Sequence, residues 1–149
     1  MFDAEEYIAQ VQNRLRSCRN AQIQDSLGPK VEPAGAWDKW EVILWRVRMQ
    51  WQGRGETLEV VDAWTRKRGK KIMRNFSYHF MQADGTCIFR VDTHGEEIPY
   101  GAPCHVHVGE EKFEAGDPAL HGLNLTDVDF LNVFGWVYKY LKGKKMPWE

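Results

Sequence analysis

His105 and His107 stand one residue apart in the stretch "CHVHV", and a strand's period of two would put both imidazoles on one face. Same-face imidazoles at that spacing can chelate one divalent cation, with Asp92 as a third ligand if its strand lies alongside. Without a metal, the same pair can divide the work of general acid and general base near neutral pH. Spacing alone leaves both chemistries open, and also a plainer one: two polar side chains on the wet face of an edge strand.

Arg90 and Asp92 share a face in "CIFRVD". Arg90 would be a clamp for phosphate or for transition-state charge, because a planar guanidinium grips two oxygens at once. The structural alternative is an Arg-Asp pair across the strand. In "FSYHF", Tyr78 and His79 are both candidates for proton transfer, yet they point to opposite faces, so only one can join a given site. Phe76, Tyr78 and Phe80 form an aromatic row of the kind that packs in a core. His94 and His121 fall in loops and carry no signal alone. The turn "RKRGKK" gathers Arg66, Lys67, Arg68, Lys70 and Lys71, with Arg74 close behind, a cluster suited to nucleic-acid phosphates or an acidic partner.

These residues need elements to hold them. Residues 3–19 read as an amphipathic helix, with Asp3 and Glu6 resembling a capping box and Ala4, Ile8, Val11, Leu15 and Cys18 forming an apolar stripe. "LGPKVEPAG" then reads as a loop. "KWEVILWRVRMQW" alternates, with Ile43, Trp45, Val47, Met49 and Trp51 on one face, as a half-buried strand does. Short turns lead through "ETLEVVDAW" and "IMRNFSYHFM", and an Asp-Gly turn at 84–85 leads into "TCIFRVD". "HVHV" adds a fifth strand at either edge. Thr126 and Asp129 form a cap-like pair before a second amphipathic helix carrying Phe130, Val133, Phe134, Val137 and Leu141 on one face. The expected fold is α+β: one domain over 1–149, with an N-terminal helix 3–19, an antiparallel meander of about five strands over 39–113, and a C-terminal helix 126–142.

Composition narrows the classes. The chain has 149 residues, 43% of them hydrophobic, which is too apolar for a disordered protein. No apolar run approaches the roughly 18 residues of a membrane span, and the N-terminus is acidic where a signal peptide is basic, so a cytoplasmic protein without membrane attachment is expected. Three cysteines without a C-x-x-C pair indicate neither a disulfide framework nor a zinc knuckle. The net charge of −1 hides a segregation: nine Lys or Arg against three acids from Arg46 to Arg74, then ten acids against Arg90 and Lys112 from Asp84 to Asp129. Glu96, Glu97, Glu110 and Glu111 surround the histidines in sequence and would favour a cation over a polyanion there.

The run from Arg74 to His107, "RNFSYHFMQADGTCIFRVDTHGEEIPYGAPCHVH", resembles the TumE-like toxin family of bacterial toxin-antitoxin modules. The family pattern is a Tyr-x-Tyr-His strand, an Asp-Gly turn, a strand ending Arg-x-Asp-Asn, a Pro-His-His segment and a final Pro-His-His-x-His. Its counterparts here are Phe76, Tyr78 and His79, then Asp84 and Gly85, then Arg90 and Asp92, and lastly Pro103, His105 and His107. The likeness extends over most of the chain to about Val108. Thr93 replaces the Asn, only His94 stands near the missing Pro-His-His, and Cys104 replaces the first His of the last motif, which marks a divergent member. The resemblance implies a small cytoplasmic toxin neutralised by a helix-turn-helix antitoxin. By analogy with other small toxins it suggests a ribonuclease using His105 and His107 with Asp92 and Arg90, with RNA held by the basic turn. The alternative is a non-catalytic nucleic-acid- or protein-binding domain in which the Arg-Asp-His set is a structural network.

Overall fold

The computed structural model describes residues 2–32, 42–66 and 71–149. Helix α1 spans Ala4–Ser17 and opens on Asp3, whose carboxylate accepts from the Glu6 amide at 3.0 Å. Ala4, Ile8 and Val11 of its predicted stripe are buried, joined by Tyr7.

Strands β1 (Ala21–Glu32), β2 (Val42–Trp51), β3 (Thr57–Thr65), β4 (Met73–Met81) and β5 (Cys87–Asp92) follow as an antiparallel meander. β6 (Ile98–Pro99) adds a short pairing to β4, and β7 (His105–Val108) lies beside β5. β8 (Glu111–Glu114) then folds back on β7, giving the order β1-β2-β3-β4-β5-β7-β8 with β6 off this path. The architecture is α+β, as expected, with eight strands among the described residues where about five were predicted.

The segment read as a loop after the first helix is in fact β1 through Glu32. It is an edge strand with two register irregularities and carries Gly28 and Pro29, residues that an edge accommodates and a central strand does not. The remainder of that predicted loop, and residues 39–41 of the first predicted strand, lie outside the described residues. "HVHV" is not at the outer edge, because the polar hairpin strand "EKFE" covers it.

One face of the sheet carries the core. Ile43, Trp45, Val47, Met49 and Trp51 of β2 are all buried, as are Leu58, Val60 and Trp64 of β3 and Phe76, Tyr78 and Phe80 of β4. Helix α2 (Phe130–Leu141) covers this face together with α1; Phe130 meets Trp45 edge-on, and the Phe130 amide donates to the Tyr7 hydroxyl at 3.3 Å. Phe130, Val133, Phe134 and Val137 of the predicted apolar face are buried, and Leu141 is partly so. The cap is a correction: Asp129 pairs with Asn132, not Thr126, each side chain accepting from the other's amide at 3.0 Å. Thr126 is held instead by the Asn124 side chain, so the helix begins four residues later than expected.

Under the helices lies a buried polar network. Asp62 accepts from the Tyr7 hydroxyl at 2.6 Å and from Trp45 Nε1 at 3.1 Å, and pairs with Arg74 Nη2 at 3.5 Å. Arg74 also donates to the Tyr78 hydroxyl at 3.0 Å and to the Val128 carbonyl. Its guanidinium stacks between the rings of Trp64 and Phe76. No helix among the described residues is long and apolar enough to cross a membrane.

Candidate functional site

The helices leave the other face of the sheet open, and register decides what stands there. Asp92 of β5 is opposite His105 of β7, and Arg90 is opposite His107. On the other side of β5, His79 of β4 is opposite Arg90 and Ser77 is opposite Asp92. Directly paired residues project to the same face, so six polar side chains from three strands meet in one patch. The residues between them, Val91, Val106 and Tyr78, are buried in the core. This alternation fastens the polar groups from behind.

A seventh group arrives from a turn. His94 adopts a left-handed backbone at φ 58° just past β5, which folds its ring over His105 with centroids 3.6 Å apart. The ligating atoms of Asp92, His94, His105 and His107 all lie within 4.8 Å of one another, the sole convergence of three or more such residues among those described. Sequence reasoning left His94 aside as a loop histidine. The available signal was the short Asp-Thr-His-Gly link, which can bend back only onto the end of the strand that carries Asp92.

Asp92 organises the group. Its Oδ2 pairs with Arg90 Nε at 2.6 Å, while its Oδ1 contacts His105 Nε2 and accepts from the His94 amide at 3.2 Å. Arg90 Nη2 also lies 3.2 Å from His107 Nε2, so the guanidinium spans the carboxylate and one imidazole. Arg90 is 37% exposed, whereas Asp92 and His105 are nearly closed off. Burial works against ionising Asp92, but the His94 amide and the neighbouring His105, Arg90 and His107 outweigh it and hold the carboxyl below its usual range. Burial lowers the pKa of His105 against the pull of Asp92. Burial and the Arg90 charge lower those of His107 and His79. Neutral imidazoles beside an ionised carboxylate offer lone pairs, either to a proton or to a cation.

The departures from the family pattern leave the cluster intact. Cys104 faces the core, its thiol donating to the Leu125 carbonyl and its pKa pushed up by burial to about 12. A histidine there would not reach the open face. Thr93 is buried and ties β5 to β4, its hydroxyl donating to Asn75 and accepting from the Phe76 amide.

Other sequence candidates go elsewhere. Tyr78 is on the opposite face, and burial together with Asp62 pushes its phenol far above neutral pH, which unsuits it to proton transfer here. Arg74, expected at the surface with the basic turn, is buried and paired with Asp62. Its parity with Phe76, Tyr78 and Phe80 sends it inward. Of the turn itself, Lys71 is exposed and Arg66 partly so, while Lys67, Arg68 and Lys70 lie outside the described residues. Glu96, Glu97, Glu110 and Glu111 are exposed, and none is in the cluster.

A cleft of about 560 Å³ leads to the cluster across the open face. Arg90, Asp92 and His94 form one wall, and Leu44, Val61 and Ser77 line the rest. Val61 and Leu44 are among the few large apolar side chains left exposed among the described residues.

Residues 46–137, more than half of the chain, match the model of the family described as Toxin TumE. The match begins within β2 and runs into α2, beyond the Val108 limit of the likeness read from sequence, and does not include α1. No curated protein matches the chain, and no solved structure does. The chain belongs to the TumE toxin family, and membership implies a cognate antitoxin partner.

Proposed function

We propose that this toxin acts by cleaving RNA phosphodiester bonds at the Arg90-Asp92-His105-His107 cluster, with His79 and His94 as further members. The supporting observation is the convergence of a guanidinium, an ionised carboxylate and neutral imidazoles at the end of an open cleft. Arg90 is exposed enough to meet a phosphate and would stabilise the charge that gathers on its non-bridging oxygens. His79 is suited to accept the proton of the attacking oxygen. It flanks Arg90 and is held neutral by burial and the Arg90 charge. As the new oxygen-phosphorus bond forms, the bond to the leaving oxygen breaks, and that oxygen takes a proton from solvent. The nucleotide beside the scissile bond would lie along Leu44 and Val61, and the turn at 66–71 would hold the chain further on. The implied antitoxin is expected to be a helix-turn-helix protein.

The competing reading, a binding module stiffened by an Arg-Asp-His network, has less support. The buried pair that ties this fold together is Arg74-Asp62, on the other face. The test is incubation of purified protein with total RNA, alongside Arg90→Gln and His79→Asn variants, and growth on induced expression of each. Wild-type cleavage and growth arrest, both lost in the variants, are expected. Equal cleavage by all three proteins, or arrest with intact RNA, removes the reading.

A further inference from the structure

We propose that Asp92, His94, His105 and His107 bind one divalent transition-metal ion. A role for that ion in cleavage rests on the function proposed above; its binding does not. Ligands of a first-row divalent ion sit at about 2.0–2.2 Å, so two of them can be at most about 4.4 Å apart across it. The four ligating atoms here lie within 4.8 Å of one another, and drawing the widest pair in to the roughly 3.4 Å of a tetrahedral shell asks for at most about 0.7 Å per side chain. The donors come from three separately anchored places: the end of β5, the turn after it, and β7. His105 is buried and His94 stacks on it, so the imidazoles are already gathered.

The carboxylate is set for the same task. Arg90 occupies Oδ2, leaving Oδ1 on the side where the His94 and His105 nitrogens collect. A ligating group whose second atom is pinned by a partner is the usual outer support of a metal site. His107 Nε2 accepts from Arg90 Nη2 at 3.2 Å, and an ion would take that lone pair in place of the guanidinium. Three nitrogens and one oxygen select Zn²⁺, Co²⁺, Ni²⁺, Mn²⁺ or Fe²⁺ over Mg²⁺ and Ca²⁺, which prefer oxygen shells. A doubly charged ion on a single carboxylate, with Arg90 beside it, leaves the patch net positive and fit for a phosphodiester anion.

Binding can be read without RNA. Protein stripped with EDTA and dialysed is titrated with Co²⁺, then challenged with Zn²⁺ and with Mg²⁺. One Co²⁺ per chain with visible d-d absorption is expected, displaced by Zn²⁺ and not by Mg²⁺. Outer-shell losses alone weaken metal sites by about 10–100-fold, and removal of a ligand in His94→Asn or His107→Ala is expected to weaken binding at least that much. His94→Asn guards against misfolding, since Asn also accepts the left-handed backbone at that position. His121→Asn, at a histidine of similar backbone outside the cluster, is expected to bind as wild type. A folded wild type that takes up no Co²⁺, or undiminished uptake by both ligand variants, overturns the site. Ion binding with no RNA cleavage keeps the site and removes the ribonuclease reading; cleavage in EDTA by a protein that binds no ion does the reverse.

Discussion

Asp92 and His105 face each other across the β5-β7 ladder, and the two carboxylate oxygens have different partners, Arg90 on one and His105 on the other. Asp92→Asn keeps the shape and removes the charge that both partners use. We expect cleavage to fall at least about 100-fold, comparable to losing a preorganised electrostatic group. Because Arg90 can rehydrate, stability should drop by no more than about 1–2 kcal/mol in urea denaturation.

Arg90→Gln separates the guanidinium from the proposed ligands. Cleavage is expected to fall about 10²–10³-fold, while ion uptake weakens by no more than about 10-fold, since the outer support of Asp92 is lost together with a positive charge next to the ion. The same Co²⁺ titration checks this, and a loss as large as that in the ligand variants would give Arg90 no role apart from the ion site.

Acid should destabilise the metal-free protein in two steps. His79, His105 and His107 have folded pKa values below the unfolded one, so the unfolded chain binds more protons as pH drops. Their contribution is complete above about pH 6.5 and is lost as pH falls through the lowered folded values. His105 is faced by Asp92, His94 and Lys112, His107 by Arg90 and Asp92, and His79 by Arg90 and Glu59. Asp92 contributes stability above about pH 4, lost on further acidification through its depressed folded value. Thermal melts in EDTA from about pH 7 to about pH 5 should show a falling midpoint, and a shallower fall in His107→Asn.

The buried network predicts the reverse pattern, stability without chemistry. Tyr7→Phe removes the hydroxyl that donates to Asp62 and accepts from the Phe130 amide, at an expected cost of about 1.5–3 kcal/mol. Arg74→Ala strands the Asp62 carboxylate in the core and should cost about 3–5 kcal/mol. Urea denaturation measures both; activity per folded Tyr7→Phe molecule should match wild type, and a loss of cleavage at full stability would tie the network to the reaction.

If the basic turn holds RNA, Lys67→Glu with Lys71→Glu should weaken RNA binding for all sequences alike. Each lost phosphate contact flattens the salt dependence by about 0.7 in log-log slope. Binding isotherms at several salt concentrations test this, and an unchanged slope removes the turn from the interface.

Much of this arrangement was legible because it obeys period two. Alternation from Ile43 to Trp51, and the shared parity of Arg90 with Asp92 and of His105 with His107, follow from local pattern and are met in the sheet. What escaped was non-local. Gly28 and Pro29 concealed an edge strand, the counter-strand that covers β7 is short and polar, and His94 enters the cluster through a backbone turn. Arg74 was misplaced because its charge was weighed above its parity with Phe76 and Tyr78, although Asp62 was waiting two strand positions from Trp64 on the same inward face.

In β7 the reactive groups and the packing group alternate within three residues, with Val106 locked among buried side chains between the two imidazoles. Sliding this strand by a single position would expose the valine and thrust both rings into oil. Misregistration therefore exacts its penalty on the apolar side, and any copy of the protein that folds at all has its imidazoles aimed correctly.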